Sequence, residues 1–235
     1  MRKLFFISFL LSISLVLKAQ EVDSAWIANN FGLRLKKLEG TLLKDYTFVD
    51  PNGNKKSLND FKGKSLYIDI WTTWCKSCII SFPYREQLIK RINALRLDTT
   101  IVFITICTED SEKKWRKLIN ELNPSGINLY AKDTSLYENW KISSFPTYML
   151  VDTTGKIVSG DILDPDHASI DFLLYAFVKG IKPSEAIWID FRQYQYYRKH
   201  QKFTDDEEGR DYAKWHNASM PLLIEYFKWR QTKTK

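Results

Sequence analysis

Cysteine, histidine and methionine are scarce in this chain, with 3 of each in 235 residues. Three cysteines, two of them separated by two residues, do not make a disulfide scaffold. A chain of this length buries a core without staples. A closed zinc site takes four ligands, normally from two close pairs. Beyond Cys75 and Cys78 the candidates are Cys107, His167, His200 and His216, and no two of these stand at ligand spacing. Zinc is therefore a poor reading and no metal is expected. The amino-terminal apolar run, Leu4 to Leu17, has 14 residues, short of the ~20 that span a bilayer. There is no arginine-rich stripe and no repeat, so nucleic acid is not an expected partner.

What is present begins with a leader. Arg2 and Lys3 precede the apolar run, and Ala19 offers a small residue for cleavage that would leave Gln20 first. Leu17 is larger than a cleavage site prefers, and an uncleaved anchor is the alternative; only then would the membrane be a partner. Loss of Arg2, Lys3 and Lys18 lowers the net charge from +7 to 7 − 3 = +4, so much of the basic excess belongs to the leader. The expected divisions are a signal peptide (1–19), a lead-in (20–37) with a stripe of Trp26, Leu33 and Leu35, a main domain (38–180) and an aromatic-rich helical extension (181–235). The expected location is outside the cytoplasm, periplasmic or in the cell envelope.

Within 38–180, short β-type runs alternate with helical ones. "YTFVDPNGNKKSL" reads as two strands around a turn, and Leu66–Ile70 as an apolar strand. "SFPYREQLIKRINALRL" has apolar residues at 84, 88, 92 and 95, a helical period, with Pro83 expected to kink its start. "TTIVFITICTED" is a continuous apolar run, as in a strand covered on both faces. A helix capped by Ser111, a short strand and a short helix follow, then a hairpin around Thr153-Thr154-Gly155 and a helix ending at Gly180. The fold class is α/β, a central mixed sheet with helices on both faces. The extension holds 11 aromatic residues in 55, too many for disorder. Thr204 and Glu207 stand at capping-box spacing there. We read it as helices packed on the main domain, with a partner surface as the second reading.

Cys75 and Cys78 lie between a strand and a helix, in "SLYIDIWTTWCKSCIISFP". A helix N-terminus stabilises a thiolate through its unpaired N–H groups and dipole, so a redox pair is the favoured reading. Lys76 adds positive charge and Ser77, unlike a proline, adds a backbone donor.

The stretches "DPNGNKKSLNDFKGKSLYIDIWTTWCKSC" and "FPTYMLVDTTGKI" resemble the thioredoxin superfamily, nearest the exported thiol–disulfide oxidoreductases of the TlpA and ResA type. The resemblance covers about Leu38 to Gly180. It implies a thioredoxin-like fold, with Cys75 as exposed nucleophile, Cys78 as buried resolving thiol and a redox-active Cys75–Cys78 disulfide. It implies Trp74 as a shield over the pair and a cis Pro146, with the Phe145 backbone available to a substrate strand. It places Asp69 beneath Cys78, where an apolar strand should raise its pKa and suit it to proton transfer. The departures are Lys76-Ser77 between the cysteines, Ser81 where relatives carry a glutamate, and a bulky Phe145. Cys107 is expected to be a core thiol.

The implied activity is thiol–disulfide exchange with proteins of the envelope, as a reductase, without a cofactor and with a membrane electron donor. The alternative is a binding module on the same scaffold, with a passive disulfide and a partner held by the extension. A peroxidase reading is poor, because no proline precedes Thr72.

Overall fold

The computed structural model describes residues 38–97, 101–108 and 111–233; the leader and the lead-in stripe lie outside them. Its strands are β1 (Phe48–Val49), β2 (Lys55–Lys56), β3 (Ser65–Trp71), β4 (Ile101–Thr108), β5 (Ile127–Ala131), β6 (Thr147–Val151) and β7 (Ile157–Ser159). They form one sheet in the order β2-β1-β5-β4-β3-β6-β7. The central β3–β4 and β4–β5 pairs are parallel, while β3–β6, β6–β7, β1–β5 and β1–β2 are antiparallel. The mixed sheet is the one the sequence predicts. The turn between β1 and β2 forms because Asp50 accepts from the backbone of Asn52 and Asn54, with Gly53 at φ +91.

Successive side chains of a strand face opposite ways, and β3 shows what that does. Leu66, Ile68 and Ile70 join one core with Ile104, Ile106, Leu129, Met149 and Trp140. That face is covered by the short helix α3 (Leu136–Asn139) and a 3-10 turn (Leu58–Phe61). Tyr67, Asp69 and Trp71 face the other way, toward the helices α1 (Lys76–Ala94), α2 (Glu112–Leu122) and α4 (Ile170–Val178). Burial on both faces explains why β4 reads as a continuous apolar run and why β3, from Leu66 onward, is apolar but for Asp69.

The buried stripe of α1 differs from the expected one. It runs through Cys78, Phe82, Arg85, Leu88 and Ile92, because the helix face is set by Cys78; Tyr84 and Leu95 are half-buried. Pro83 is carried inside the helix, at the cost of the donor that would have met the Ile79 carbonyl.

The extension forms α5 (Pro183–His200) and α6 (Glu207–Gln231). Phe172 and Ala176 of α4 pack with Ala186 and Ile189 of α5 and Tyr212 and Trp215 of α6, which makes a second core at the join of domain and extension. One expectation needs correction. The cap of α6 is Asp206, which accepts from the Gly209 amide at 2.7 Å, while Thr204 donates to Asp206. Gly209 is required there because a Cβ would clash with the Thr204 carbonyl. The helix also continues through Pro221, carried by a buried stripe of Tyr212, Trp215, Ser219, Leu223 and Tyr226.

Helix α6 reaches back to α1. Trp229 stacks edge-on to Tyr84 at 5.4 Å, Arg230 meets Asp166 at 3.0 Å, and the Tyr226 ring lies 4.0 Å from the Arg91 guanidinium. Arg91 and Asp171, both buried, make a bidentate pair between α1 and α4 at 2.6 and 2.9 Å. Removing one partner strands the other charge in the core. Asp171→Ala should therefore lose about 3–5 kcal/mol in urea unfolding. The double replacement of Arg91 by Met and Asp171 by Leu should lose less than Asp171→Ala alone.

Candidate functional site

After β3 ends at Trp71, the chain turns so that the Cys75 amide donates to the Thr72 carbonyl at 3.2 Å. Cys75 then caps α1 with extended backbone, and its sulfur accepts from the Cys78 amide at 3.1 Å. The Ser77 hydroxyl lies 3.3 Å from the same sulfur, a side-chain contact that counting backbone donors had missed. Lys76 is exposed, so water screens its charge. The two cysteines are joined in a disulfide. Beneath them lie Trp71, Phe82, Cys107, Trp115 and Tyr130, which places the Cys107 thiol in the same cluster.

Cys75, expected to be the exposed member, is buried at 5% exposure against 1% for Cys78. The order is as expected but the gap is small, because the Cys75 sulfur is drawn over the end of the helix by the disulfide and the amide bond. Trp74 is open to solvent, 70% exposed. Its ring stands perpendicular to Phe145 at 5.8 Å, so the loop before β6 is brought beside the cysteine turn. Phe145 also meets Tyr137 at 5.7 Å. The Phe145–Pro146 peptide is cis.

Asp69 could have faced either side of β3. It faces inward, 1% exposed, level with Thr105 on β4 and Tyr148 on β6. Thr105 is engaged with Asn128 at 2.9 Å. Asp69 Oδ1 has no hydrogen-bond partner among the described residues, and Oδ2 lies 4.0 Å from Arg85 Nε. Burial pushes the Asp69 carboxyl up to about 7; the Arg85 guanidinium pulls it back and Asp164 pushes it on. A carboxyl that ionises near neutrality can both take and return a proton.

Two of these groups were missed in the sequence. Arg85 interrupts the buried stripe of α1 at the right period, which was a readable signal. Asp164 sits in the segment after β7, where nothing in the sequence marks it. Ser81, in place of the familial glutamate, donates to the Cys78 carbonyl at 2.7 Å and supplies no carboxylate.

A disulfide at a helix start, on a mixed sheet with an inward acid in the preceding strand, defines a class within the thioredoxin superfamily. The family model described as Redoxin matches residues 38–171, more than half of the chain, and the chain belongs to that family, with relatives of the TlpA and ResA type. It is 27% identical over 123 residues to the thiol-disulfide oxidoreductase ResA of Bacillus subtilis (strain 168), covering 51% of this chain and 65% of that protein. It is 32% identical over 119 residues to the thioredoxin-like protein YneN of the same organism, covering 51% and 68%. A crystal structure from Bacteroides vulgatus, described as a candidate thiol-disulfide oxidoreductase, superimposes with a TM-score of 0.54 at 33% identity, over 60% of this chain and 97% of that one. The chain spans a little under two thirds of the length of the Bacillus subtilis ResA protein.

The ionisation of Asp69 is open to a thermodynamic test. The acid holds its proton more tightly in the folded chain, about 7, than at its ordinary value of 3.8. Its contribution to stability is complete below about pH 4 and is lost as pH rises through about 7. Asp69→Asn does not titrate. The stability of oxidised Asp69→Asn relative to wild type should therefore grow by on the order of 4 kcal/mol between pH 4 and pH 8. Urea unfolding at the two pH values measures this; a constant difference would mean that Asp69 does not change charge in that window.

Proposed function

We propose that this chain is a thiol–disulfide oxidoreductase acting through Cys75 and Cys78. The observation that carries the reading is the Cys75 sulfur at the N-cap of α1, with the Cys78 amide donating to it at 3.1 Å. The same donor serves a thiolate once the disulfide is reduced.

The reaction runs in two steps. The Cys75 thiolate attacks one sulfur of a substrate disulfide, forming a mixed disulfide and releasing the other substrate sulfur as a thiolate. Cys78 then loses its proton to Asp69 and attacks the Cys75 sulfur. The Cys75–Cys78 bond forms, the bond to the substrate breaks, and the second substrate sulfur leaves with the electron pair and takes a proton from water. The substrate emerges as a dithiol and the enzyme oxidised. Trp74, Phe145 and Pro146 form the rim against which the substrate chain lies.

The resemblance to ResA favours reduction, and the leader favours action on envelope proteins, with a membrane donor restoring the dithiol. Regions 38–180 and 181–235 act as catalytic domain and brace. A passive disulfide on a binding scaffold gives no reason to bury Asp69 in β3.

The roles of the two sulfurs separate by mutation. Cys78→Ser should accumulate mixed disulfides with substrate proteins on non-reducing gels, because Cys75 attacks and is not released. Cys75→Ser should accumulate none. Equal trapping by both variants would overturn the assignment.

A further inference from the structure

Helix α1 carries two buried arginines six residues apart, and they are treated differently. Arg91 is held by Asp171 at two points, with bonds of 2.6 and 2.9 Å, as a structural ion pair should be; among the described residues its Nη1 alone lacks a partner. Arg85 is 0% exposed yet only partly paired. Its Nη1 donates to the Ser125 carbonyl at 2.9 Å and lies 3.6 Å from the Glu86 carboxylate. Its Nε stands 4.0 Å from Asp69, and neither Nε nor Nη2 has a hydrogen-bond partner among the described residues.

The surroundings hold the guanidinium in that place. Glu86 accepts from the Ser125 amide and hydroxyl at 2.9 and 2.5 Å, fixing the carbonyl that Arg85 grips. Gly126, at φ +84, leaves the space: a Cβ there would come within 2.6 Å of the Phe103 carbonyl and 3.2 Å of Arg85 Nη2. Arg85 is thus tied at one end and directed at Asp69 with the other. At 4.0 Å the charge is felt, but the separation is too long for a hydrogen bond. A bidentate contact like that of Arg91 would occupy both carboxylate oxygens.

We propose that Arg85 is a positioning residue for the proton acceptor, its anchored charge keeping the Asp69 carboxylate available at neutral pH while leaving its oxygens open to the Cys78 proton. This rests on the exchange mechanism proposed above and adds to it the group that sets the working pH. The groups facing Asp69 are Arg85 and, in that mechanism, Cys78 from α1, Tyr67 on its own strand, Tyr148 on β6, and Asp164 from the segment after β7. Burial pushes both phenols well above their ordinary range, so they stay neutral. The charge balance at Asp69 is Arg85 against Asp164.

The test is the pH profile of mixed-disulfide release in the full chain. Reduced protein is mixed with a disulfide-bonded peptide, and release is followed in single turnover through tryptophan fluorescence. Two uncharged replacements are compared, Arg85→Gln and the isosteric Arg85→citrulline, which keeps the packing if the glutamine variant does not fold. In both, the midpoint of the release profile should move to higher pH by about one to three units, so release at pH 7 slows by about fivefold or more. Arg85→Lys should lie between them and wild type, and the alkylation profile of Cys75 should not move. A slowing that is equal at every pH, or an unmoved midpoint, would overturn the proposal and leave Arg85 a packing residue. Asp69→Asn separates the two readings. If it abolishes the profile while the uncharged Arg85 variants keep it, only the Arg85 inference fails. If it leaves the wild-type profile intact, Asp69 is not the acceptor and the inference falls with it.

Discussion

A carboxyl group buried in the middle of a covered sheet is the constraint around which this site is built. Asp69 sits between Ile68 and Ile70, which belong to the core of the opposite face, and is itself only 1% exposed. Period-two alternation then fixes it on the α1 side with Tyr67 and Trp71. Its ionisation is opposed by burial and by Asp164 and is favoured by Arg85. This balance, in which burial prevails over Arg85 and lifts the carboxyl from 3.8 to about 7, gives the acid a proton relay needs at neutral pH. The cysteine turn follows from the same strand, since β3 ends at Trp71, the Cys75 amide closes a turn on the Thr72 carbonyl, and α1 starts at Lys76.

Such a balance depends on distance, and so on how firmly α1 is held over β3. Phe82, Leu88 and Ile92 pack that helix on the sheet. Arg91 ties it to α4 through Asp171, and α6 of the extension touches it through Tyr226, Trp229 and Arg230. Contacts of Arg91 with Tyr226 and of Tyr84 with Trp229 run in opposite chain directions. The extension thus braces the helix that carries both cysteines.

Much of this was legible in the sequence and some was not. The β3 strand, the apolar β4 and the cap at Ser111 were readable because each depends on local alternation or a local cap. The Cys75 and Cys78 pair was readable from its place between a strand and a helix, whereas alternation left Asp69 free to face either way and only the family resemblance pointed it inward. The cap of α6 was misread because Thr204 and Glu207 match a local pattern. The winning partner was Asp206, selected by the absence of a side chain at Gly209. The α1 stripe was drawn through Tyr84 and Leu95 because charged residues were assumed to face out, and Arg85 and Arg91 do not. What makes burial tolerable for them, Ser125 in one case and Asp171 in the other, lies 40 and 80 residues away. Long-range compensation of that kind leaves no mark in a local window.

The central claim is that Asp69 ionises in the neutral range in the working dithiol state. Carbon-13 labelling of aspartate carboxyls, with Asp69 assigned by comparison with Asp69→Asn, allows its titration to be followed by NMR in the reduced chain. The account predicts a midpoint of about 7. A midpoint close to the ordinary value of 3.8 would mean that Asp69 is a permanent carboxylate at neutral pH, and would contradict its place in the proton transfer.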